Sequence, residues 1–255
     1  MKLTVLGSGT SNPHPNRSSS GYWLETSSGT IMLDLSAAMP LRMAQEGLDW
    51  IGLDAIWISH FHLDHCGGIA PFLAGTKHVA GMKDRKKPLR IFGPVGTARL
   101  IAAFDAVNDY CLLEQPFPVE IVEVEALENF EIFPGVEAIA CKTPHTDESH
   151  AIRIRDTDGK TLVYSADTGF DEIIATFANA VDLFMLECTF VRNKPKIKHL
   201  ELAEAIYLIR RSKCKQAMLT HLYPEWDDVD FSAEVAKIDA TNTVIQAFDG
   251  IRIEI

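Results

Sequence analysis

The segment SHFHLDHCGG (residues 59–68) constrains this chain most, because it places titratable side chains directly after a strand that is predicted to be buried. The preceding run, DAIWI (54–58), is apolar enough to be covered on both faces of a sheet. Buried polar groups need partners. Residues two apart in an extended segment point the same way, so His60, His62 and Asp64 are expected on one side.

His65 completes this group, and the pair Gly67–Gly68 allows the backbone to turn sharply after it. Neutral imidazole and carboxylate groups are common ligands of Zn²⁺ and related transition metals. One ion rarely accepts four groups this close in sequence, whereas two adjacent ions can divide them. The segment therefore indicates a metal site rather than a polar turn with satisfied histidines.

Three further residues of the same types follow predicted strands. His145 comes after VEAIAC, Asp167 comes after TLVYS, and His221 ends QAMLT. Site residues of sheet-based enzymes usually lie where strands leave the sheet. Each residue alone has an ordinary explanation, as a helix cap or a structural histidine. Their recurrence together with residues 60–65 favours one shared metal site.

The composition is that of a globular chain with an excess of acidic groups. The 255 residues include 24 basic and 35 acidic side chains, which gives a net charge of −11, so a broad electrostatic grip on nucleic acid is not expected. Five cysteines without paired spacing predict reduced thiols and a cytoplasmic location. We expect neither a signal peptide nor a membrane span, which needs about 20 apolar residues.

Short strands alternate with amphipathic helices along the whole chain, without repeats or linkers. The predicted strands are 2–6, 22–26, 30–34, 54–59, 118–124, 130–133, 136–141, 151–155, 161–165, 181–186, 216–220, 243–248 and 251–255. The predicted helices are 94–107, with Pro94 in its first turn, 200–211 and one near 232–240. This pattern predicts one layered α/β domain over residues 1–255, with helices covering the sheets.

The pattern H-x-H-x-D-H, followed by a His, an Asp and a His that each close a strand, resembles the metallo-β-lactamase superfamily. The resemblance implies an αββα four-layer sandwich with a dinuclear metal site at the edge of two facing sheets. It implies two divalent ions, Zn²⁺ or Mn²⁺. By position, the ligands of the first ion would be His60, His62 and His145, those of the second Asp64, His65 and His221, with Asp167 bridging the two.

A second resemblance, to ribonuclease Z, narrows the branch. The similar segments are MKLTVLGSGT (1–10), FGP (92–94), ECTF (187–190) and KHLELAEAIYLIRRSKCKQAMLTHLYP (198–224). The resemblance implies that His199 lies over the metals and donates a proton. By position Glu187 would orient His199, and Asp64 would be both a ligand and the group that orients or deprotonates the nucleophile.

The chain departs from ribonuclease Z in the parts that recognise tRNA. In that family a long arm that clamps the tRNA elbow is inserted between the strand-end His and the bridging Asp, whereas His145 and Asp167 are only 22 positions apart. The family's P-x-K-x-R-N loop is represented by PHPNRS (13–18), with Pro15 in place of Lys and Ser18 in place of Asn. Folded tRNA is therefore not expected to be a substrate.

The sequence thus predicts a metal-dependent hydrolase, a phosphodiesterase related to ribonuclease Z that acts on a small phosphodiester or a similar ester-like substrate. Metal-bound hydroxide would attack phosphorus, and His199 would protonate the leaving group. Two alternatives stay open: hydrolysis of another bond, as in a lactone, thioester or β-lactam, and a non-catalytic metal-bound carrier or sensor. A homodimer is compatible with the sequence.

Four other features have simpler interpretations. Cys66 is expected to pack a turn, and His150 to lie in the core or touch substrate. Whether Arg17 touches substrate stays open. KDRKK (83–87) stands out as the one basic cluster, for which a solvated loop is favoured over phosphate steering.

Overall fold

The predicted strands lie close to their predicted positions in the structure, a computed structural model that describes residues 1–239 and 244–255, and the structure adds a strand at Leu89–Pro94 that was not predicted. The start of the predicted strand 243–248 and the end of the predicted helix 232–240 lie outside the described residues. The strands are β1 (Lys2–Gly7), β2 (Gly21–Glu25), β3 (Thr30–Leu33), β4 (Ala55–Trp57), β5 (Leu89–Pro94), β6 (Val119–Val124), β7 (Asn129–Phe133), β8 (Val136–Lys142), β9 (His150–Arg155), β10 (Thr161–Tyr164), β11 (Leu183–Glu187), β12 (Gln216–Thr220), β13 (Val244–Gln246) and β14 (Arg252–Glu254).

The helices include several that the sequence pattern did not predict, because they are short. They are α1 (Met39–Gln45), α2 (Leu63–Cys66), α3 (Ile69–Thr76), α4 (Ala80–Lys83), α5 (Thr97–Ala106), α6 (Glu172–Phe177), α7 (Leu202–Ser212) and α8 (Phe231–Ile238), with 3-10 turns at Trp50–Gly52 and Pro224–Asp228. The prediction that Pro94 opens a helix is wrong. Pro94 ends β5, which pairs in parallel with both β4 and β6, and the helix begins at Thr97.

Within the described residues the strands form two seven-stranded sheets of the same design. Their orders are β14-β1-β2-β3-β4-β5-β6 and β7-β8-β9-β10-β11-β12-β13. In each order the first three pairings are antiparallel and the last three are parallel. The parallel halves need crossover connections, and helices supply them.

Alternate residues of the strands pack into different layers of the core, so the strand sequences are apolar on both faces. Leu3 and Val5 of β1 join a cluster between the two sheets, whereas Leu6 packs against the helices outside. In the second sheet Tyr164 faces the central cluster and Val163 faces α6 and α7. Helices, two sheets and helices therefore form four layers, and the predicted αββα fold is confirmed.

Strands of both sheets end beside one another at one edge, where the backbone turns in left-handed conformations. Asp34 follows β3 with a φ of 56°, Ala166 lies two residues after β10 with a φ of 51°, and His221 follows β12 with a φ of 56°. Asp and His are among the residues that tolerate this region best. These turns stop the strands and leave their polar side chains at the shared edge.

The connection between β9 and β10 is short. It consists of residues 156–160, and the Asp156 carboxylate accepts the N–H groups of Asp158 and Lys160 within it. The fully described stretch between His145 and Asp167 therefore has no long arm. Among the described residues, none of the helices has the length and apolar character required to cross a bilayer.

Candidate metal centre

The SHFHLDHCGG segment leaves β4 as an extended stretch and then forms one turn of helix. The helical turn is α2 (Leu63–Cys66), and His62 precedes it in an extended conformation. The expectation that Asp64 lies in one row with His60 and His62 is wrong, because the N–H of His65 bonds to the carbonyl of His62 and winds the chain into a helix. The segment therefore supplies two groups of ligands.

Three imidazoles form the first group. Nδ1 of His62 lies 3.1 Å from Nε2 of His60 and 3.1 Å from Nε2 of His145. Oδ2 of Asp167 lies 3.9 Å from the His60 nitrogen and 3.6 Å from the His145 nitrogen. Ligand atoms bound at about 2.0–2.2 Å to one ion are separated from each other by about 3–4 Å, so this group can surround a transition metal.

Asp64, His65 and His221 form the second group. Oδ1 of Asp167 lies 3.3 Å from Nε2 of His65 and 3.3 Å from Nε2 of His221. Oδ2 of Asp64 lies 3.7 Å from the His65 nitrogen and 3.6 Å from the His221 nitrogen. The structure thus brings all seven predicted ligand residues together, and the two oxygens of Asp167 face different groups.

Unpaired buried atoms show that these residues fit a metal. Among the described residues, three buried atoms at the second group have no hydrogen-bond partner: Nε2 of His65, Nε2 of His221 and the Oδ1 of Asp167 that faces them. Each unsatisfied atom costs about 1–3 kcal/mol, so one divalent cation among them would remove several such penalties. A donor set of imidazole nitrogens and carboxylate oxygens suits Zn²⁺ and similar ions.

The two carboxylates of the site are charged. Burial by itself raises the pKa of Asp167, but the neighbouring His221 and His65 outweigh this and hold the pKa well below its usual range. Burial also acts to raise the pKa of Asp64, and the neighbouring imidazoles of His221 and His65 turn the net shift downward. Burial keeps the pKa of His60 well below its ordinary value, so this imidazole is neutral, which is the form that binds metal.

Asp34 supports both ligand groups, although the sequence reasoning did not select it. Its Oδ2 accepts a hydrogen bond from Nδ1 of His65 at 2.7 Å and another from the Ser59 hydroxyl at 2.8 Å. The Ser59 oxygen also lies 3.0 Å from Nδ1 of His60. Such contacts fix which imidazole nitrogen faces the metal. Asp34 could have been selected from the sequence, since TIMLD (30–34) places an acidic residue at the end of a predicted strand, much as at Asp167.

Asp34→Asn is expected to lower the affinity for Zn²⁺ by about 10- to 100-fold, because His65 loses its charged partner. Titration of chelator-treated protein with Zn²⁺ against a competing dye measures this affinity. Asp182→Asn is the control and should bind Zn²⁺ as the wild type does. It removes a carboxylate that directly precedes β11, at the opposite end of that strand from Glu187. Equal affinities for both variants would contradict the supporting role of Asp34.

Glu187 is a buried carboxylate at the end of β11 that positions His199. Its Oε1 lies 2.8 Å from Nδ1 of His199. Its oxygens also accept the backbone N–H groups of Thr168 and Thr189. The Thr189 hydroxyl donates to Oε2 at 2.8 Å and lies 2.9 Å from Nδ1 of His221. One carboxylate thus holds His199 directly and His221 through Thr189.

His199 lies beside the ligand groups and lines the same cleft. It is one of four residues, with Asp167, Glu187 and His221, whose ligand atoms lie within 4.8 Å of one another. The oxygens of Glu187 are already used by N–H and O–H donors, which argues against a third metal there. Burial lowers the pKa of His199, but the hydrogen bond to Glu187 outweighs it, and the net pKa is raised.

An open cleft of about 1110 Å³ leads to the site. Asp64, Asp167 and His221 line it, together with residues from the 10–19 loop and from 189–196. The volume is sufficient for a nucleotide-sized molecule.

Arg17 lines this cleft, but its charge is already paired. Its guanidinium forms an ion pair with Asp227 at 2.5 Å, and the same carboxylate lies 2.7 Å from Nε2 of His14. These contacts fix the 10–19 loop against the Pro224–Asp228 turn. Arg17 is therefore less available to a substrate anion than its position suggests.

Cys66 and His150 lie near the site without lining the cleft. The Cys66 thiol lies 3.4 Å from the carbonyl oxygen of Phe61, and burial raises its pKa to about 12, in agreement with the packing role predicted for it. His150 is buried at the start of β9, and burial lowers its pKa to about 4. Neither of its ring nitrogens has a hydrogen-bond partner in the part of the chain that the structure describes.

The cluster KDRKK (83–87) has a structural role at its centre. Arg85 is buried, and its guanidinium donates to backbone carbonyls, including that of Ile51 at 2.7 Å. The statement that KDRKK is the one basic cluster is wrong, because four of the seven residues 192–198 are also Arg or Lys. Part of that second segment lines the cleft.

Comparison with known proteins places this geometry in a family. A family model described as "Beta-lactamase superfamily domain" matches residues 27–222. Ribonuclease Z of Nitrosopumilus maritimus is 25% identical over 310 aligned positions that cover 100% of both chains. Because the present chain has 255 residues, that relative has segments without a counterpart here.

Two solved structures share this fold over nearly the full length of both chains. The short form of human tRNase Z superposes with a TM-score of 0.80 at 20% identity, covering 100% of this chain and 99% of that one. A diphosphatase from the PhnP family superposes with a TM-score of 0.74 at 21% identity, covering 100% and 97%. The family model matches most of this chain, and the chain has the same fold as these structures. The chain therefore belongs to the β-lactamase superfamily.

Proposed function

We propose that this chain is a dinuclear metallohydrolase that cleaves phosphodiester bonds. The chain is a metal-dependent hydrolase of its superfamily, in line with relatives named ribonuclease Z. One observation supports the dinuclear assignment: the two oxygens of Asp167 lie 3.3–3.9 Å from nitrogens of two separate ligand groups. A structural or catalytic site for one zinc ion uses about four ligands, and seven candidate ligands meet here.

The ligand residues divide between two ions, zinc or manganese. His60, His62 and His145 would hold one ion, and Asp64, His65 and His221 the other, with Asp167 shared. Two bound divalent ions activate water as a nucleophile and stabilise negative charge on attacking and leaving oxygens.

Two side chains have further roles in the reaction. Asp64 lines the cleft in its charged form, where its carboxylate can orient the nucleophile and accept its proton. His199 has Nδ1 bonded to Glu187, which leaves Nε2 to protonate the leaving oxygen. The raised pKa of His199 keeps that proton available near neutral pH, and a positioned acid of this kind contributes about 10²–10⁴-fold in rate.

A small phosphodiester is the proposed substrate. The relatives are named for tRNA processing and for diphosphate hydrolysis. Residues 156–160 form a tight turn in the stretch where an arm for the tRNA elbow would be inserted, and the net charge of −11 opposes the wrapping of a large polyanion.

Because the central cluster joins residues from both sheets, including Leu3 and Ile253, we also propose a single domain over 1–255. The cytoplasmic location and the homodimer stay predictions.

The protein is expected to bind two transition-metal ions per chain, because one ion cannot use all seven ligands. Elemental analysis after incubation with excess Zn²⁺ or Mn²⁺ and removal of free metal measures this ratio. Lys86→Gln, an exposed change outside the cleft, is a control that should also bind two ions. One ion or none in folded protein would contradict the dinuclear assignment.

Precursor tRNA is expected to be cleaved poorly, because the described stretch between His145 and Asp167 has no arm that would hold a folded RNA. A precursor with a 3′ trailer is incubated with the metal-loaded protein at near-physiological salt, and bis-p-nitrophenyl phosphate serves as the positive control for activity. Efficient cleavage at the discriminator nucleotide would show instead that the chain processes tRNA without an arm.

A further inference from the structure

The loop formed by residues 192–198 places positive charge beside the cleft of an acidic protein. Its cations are Arg192, Lys194, Lys196 and Lys198, in a chain with a net charge of −11. Residues of the loop line two different depressions. Lys196 lines the cleft of about 1110 Å³ that leads to the metal ligands, whereas Lys198 lines a second depression of about 620 Å³.

Only part of this charge is neutralised within the protein. Arg192 and Lys194 each form an ion pair with a glutamate, at 2.9 Å and 2.6 Å. Lys196 and Lys198 form no ion pair with any of the described residues, and Lys196 is exposed. The lining of the cleft therefore includes one ammonium group, that of Lys196, without an ion pair among the described residues, in contrast to the paired guanidinium of Arg17.

The loop is held in place along its length. The N–H that precedes it donates to Glu225 at 2.6 Å. A Cβ atom on Gly169 would lie 2.4 Å from the carbonyl oxygen of Ile197, so the loop packs directly onto that glycine. The carbonyl oxygen of Lys198 lies 2.9 Å from Nδ1 of His145. The backbone that presents Lys196 is therefore fixed relative to the metal ligands.

We propose that Lys196 binds a second phosphate of a substrate whose scissile diester lies at the metal centre, an inference that rests on the proposed function. Lys196 lines the same cleft as Asp64 and Asp167, so a molecule that fills the cleft can contact the lysine and the two carboxylates together. The cleft also presents Tyr223, packed on Phe190 with ring centroids 5.4 Å apart, and an aromatic face can stack on a base. The substrate class is a nucleotide diester that carries an additional phosphate.

The test compares the dinucleotide TpT with pTpT and TpTp, which differ from it only by a terminal phosphate. For one of the two phosphorylated dinucleotides the wild type is expected to show a kcat/KM about fivefold above that for TpT, through a lower KM, as one exposed ion pair would give. Lys196→Gln is expected to remove this preference. Added salt should weaken the preference in the wild type, because an exposed ion pair is screened.

Lys198→Gln is the matched control, because it removes the same charge from the same loop at a residue that lines the second depression and not the cleft. Lys86→Gln removes the same charge at an exposed site that does not line the cleft. Both variants should keep the wild-type ratio of kcat/KM values. If either lowered the ratio as much as Lys196→Gln does, overall charge would be the cause and the inference would be overturned.

The outcomes also separate this inference from the proposed function. Hydrolysis of TpT, pTpT and TpTp with equal kcat/KM by the wild type would overturn the role of Lys196 and leave the phosphodiesterase intact. No hydrolysis of TpT or of bis-p-nitrophenyl phosphate by the metal-loaded protein would overturn both.

Discussion

Asp167→Ala is expected to lose both metal ions and, with them, the hydrolysis of every diester. Each oxygen of this carboxylate faces a different ligand group, so one substitution removes a ligand from both sites. The loss of affinity should exceed the roughly 100-fold that follows removal of a partner that only supports a ligand. Elemental analysis and the rate of bis-p-nitrophenyl phosphate hydrolysis measure the two effects.

Asp64→Ala is the matched control for this prediction. Its carboxylate faces only the second group, at 3.7 Å from Nε2 of His65 and 3.6 Å from Nε2 of His221. This variant is expected to retain the ion held by the three imidazoles of the first group. If Asp167→Ala kept two ions per chain, the carboxylate would not bridge them.

His199→Ala is expected to slow hydrolysis of TpT by about 10²–10⁴-fold and to affect bis-p-nitrophenyl phosphate far less. The deoxyribose alkoxide that leaves from TpT needs a proton as its bond to phosphorus breaks, whereas p-nitrophenolate leaves readily near neutral pH without one. The metal content should stay unchanged, because Nδ1 of His199 bonds to Glu187 and the residue lies outside both ligand groups. Steady-state rates with the two substrates measure the difference.

His221→Ala is the comparison for His199→Ala. The two rings are stacked with centroids 5.5 Å apart, so both substitutions remove an imidazole from the same part of the cleft. Loss of His221 should reduce the metal content and slow both substrates together. Equal slowing of both substrates by His199→Ala, or loss of metal from it, would make His199 a ligand or a structural residue instead of the acid.

Local sequence pattern was enough to select the residues that the structure brings together as candidate metal ligands. Side chains of the right type directly follow strands at His145, Asp167 and His221, and strand ends at one edge of a sheet meet in space. The same rule could have selected Asp34 after β3. Pattern failed for Asp64, since nothing in the spacing distinguishes an extended segment from a single helical turn of four residues.

The sequence by itself determined the types of chemical group at the site, the superfamily and the layered fold, because these depend on residue type and on short-range periodicity. Only the tertiary structure decided which atoms face one another. Arg17 and Asp227 are 210 positions apart, yet their contact neutralises a guanidinium that lines the cleft, while Lys196, which also lines it, stays unpaired among the described residues. The electrostatic state of a side chain depends on its neighbours in space, and residues distant in the chain supply them.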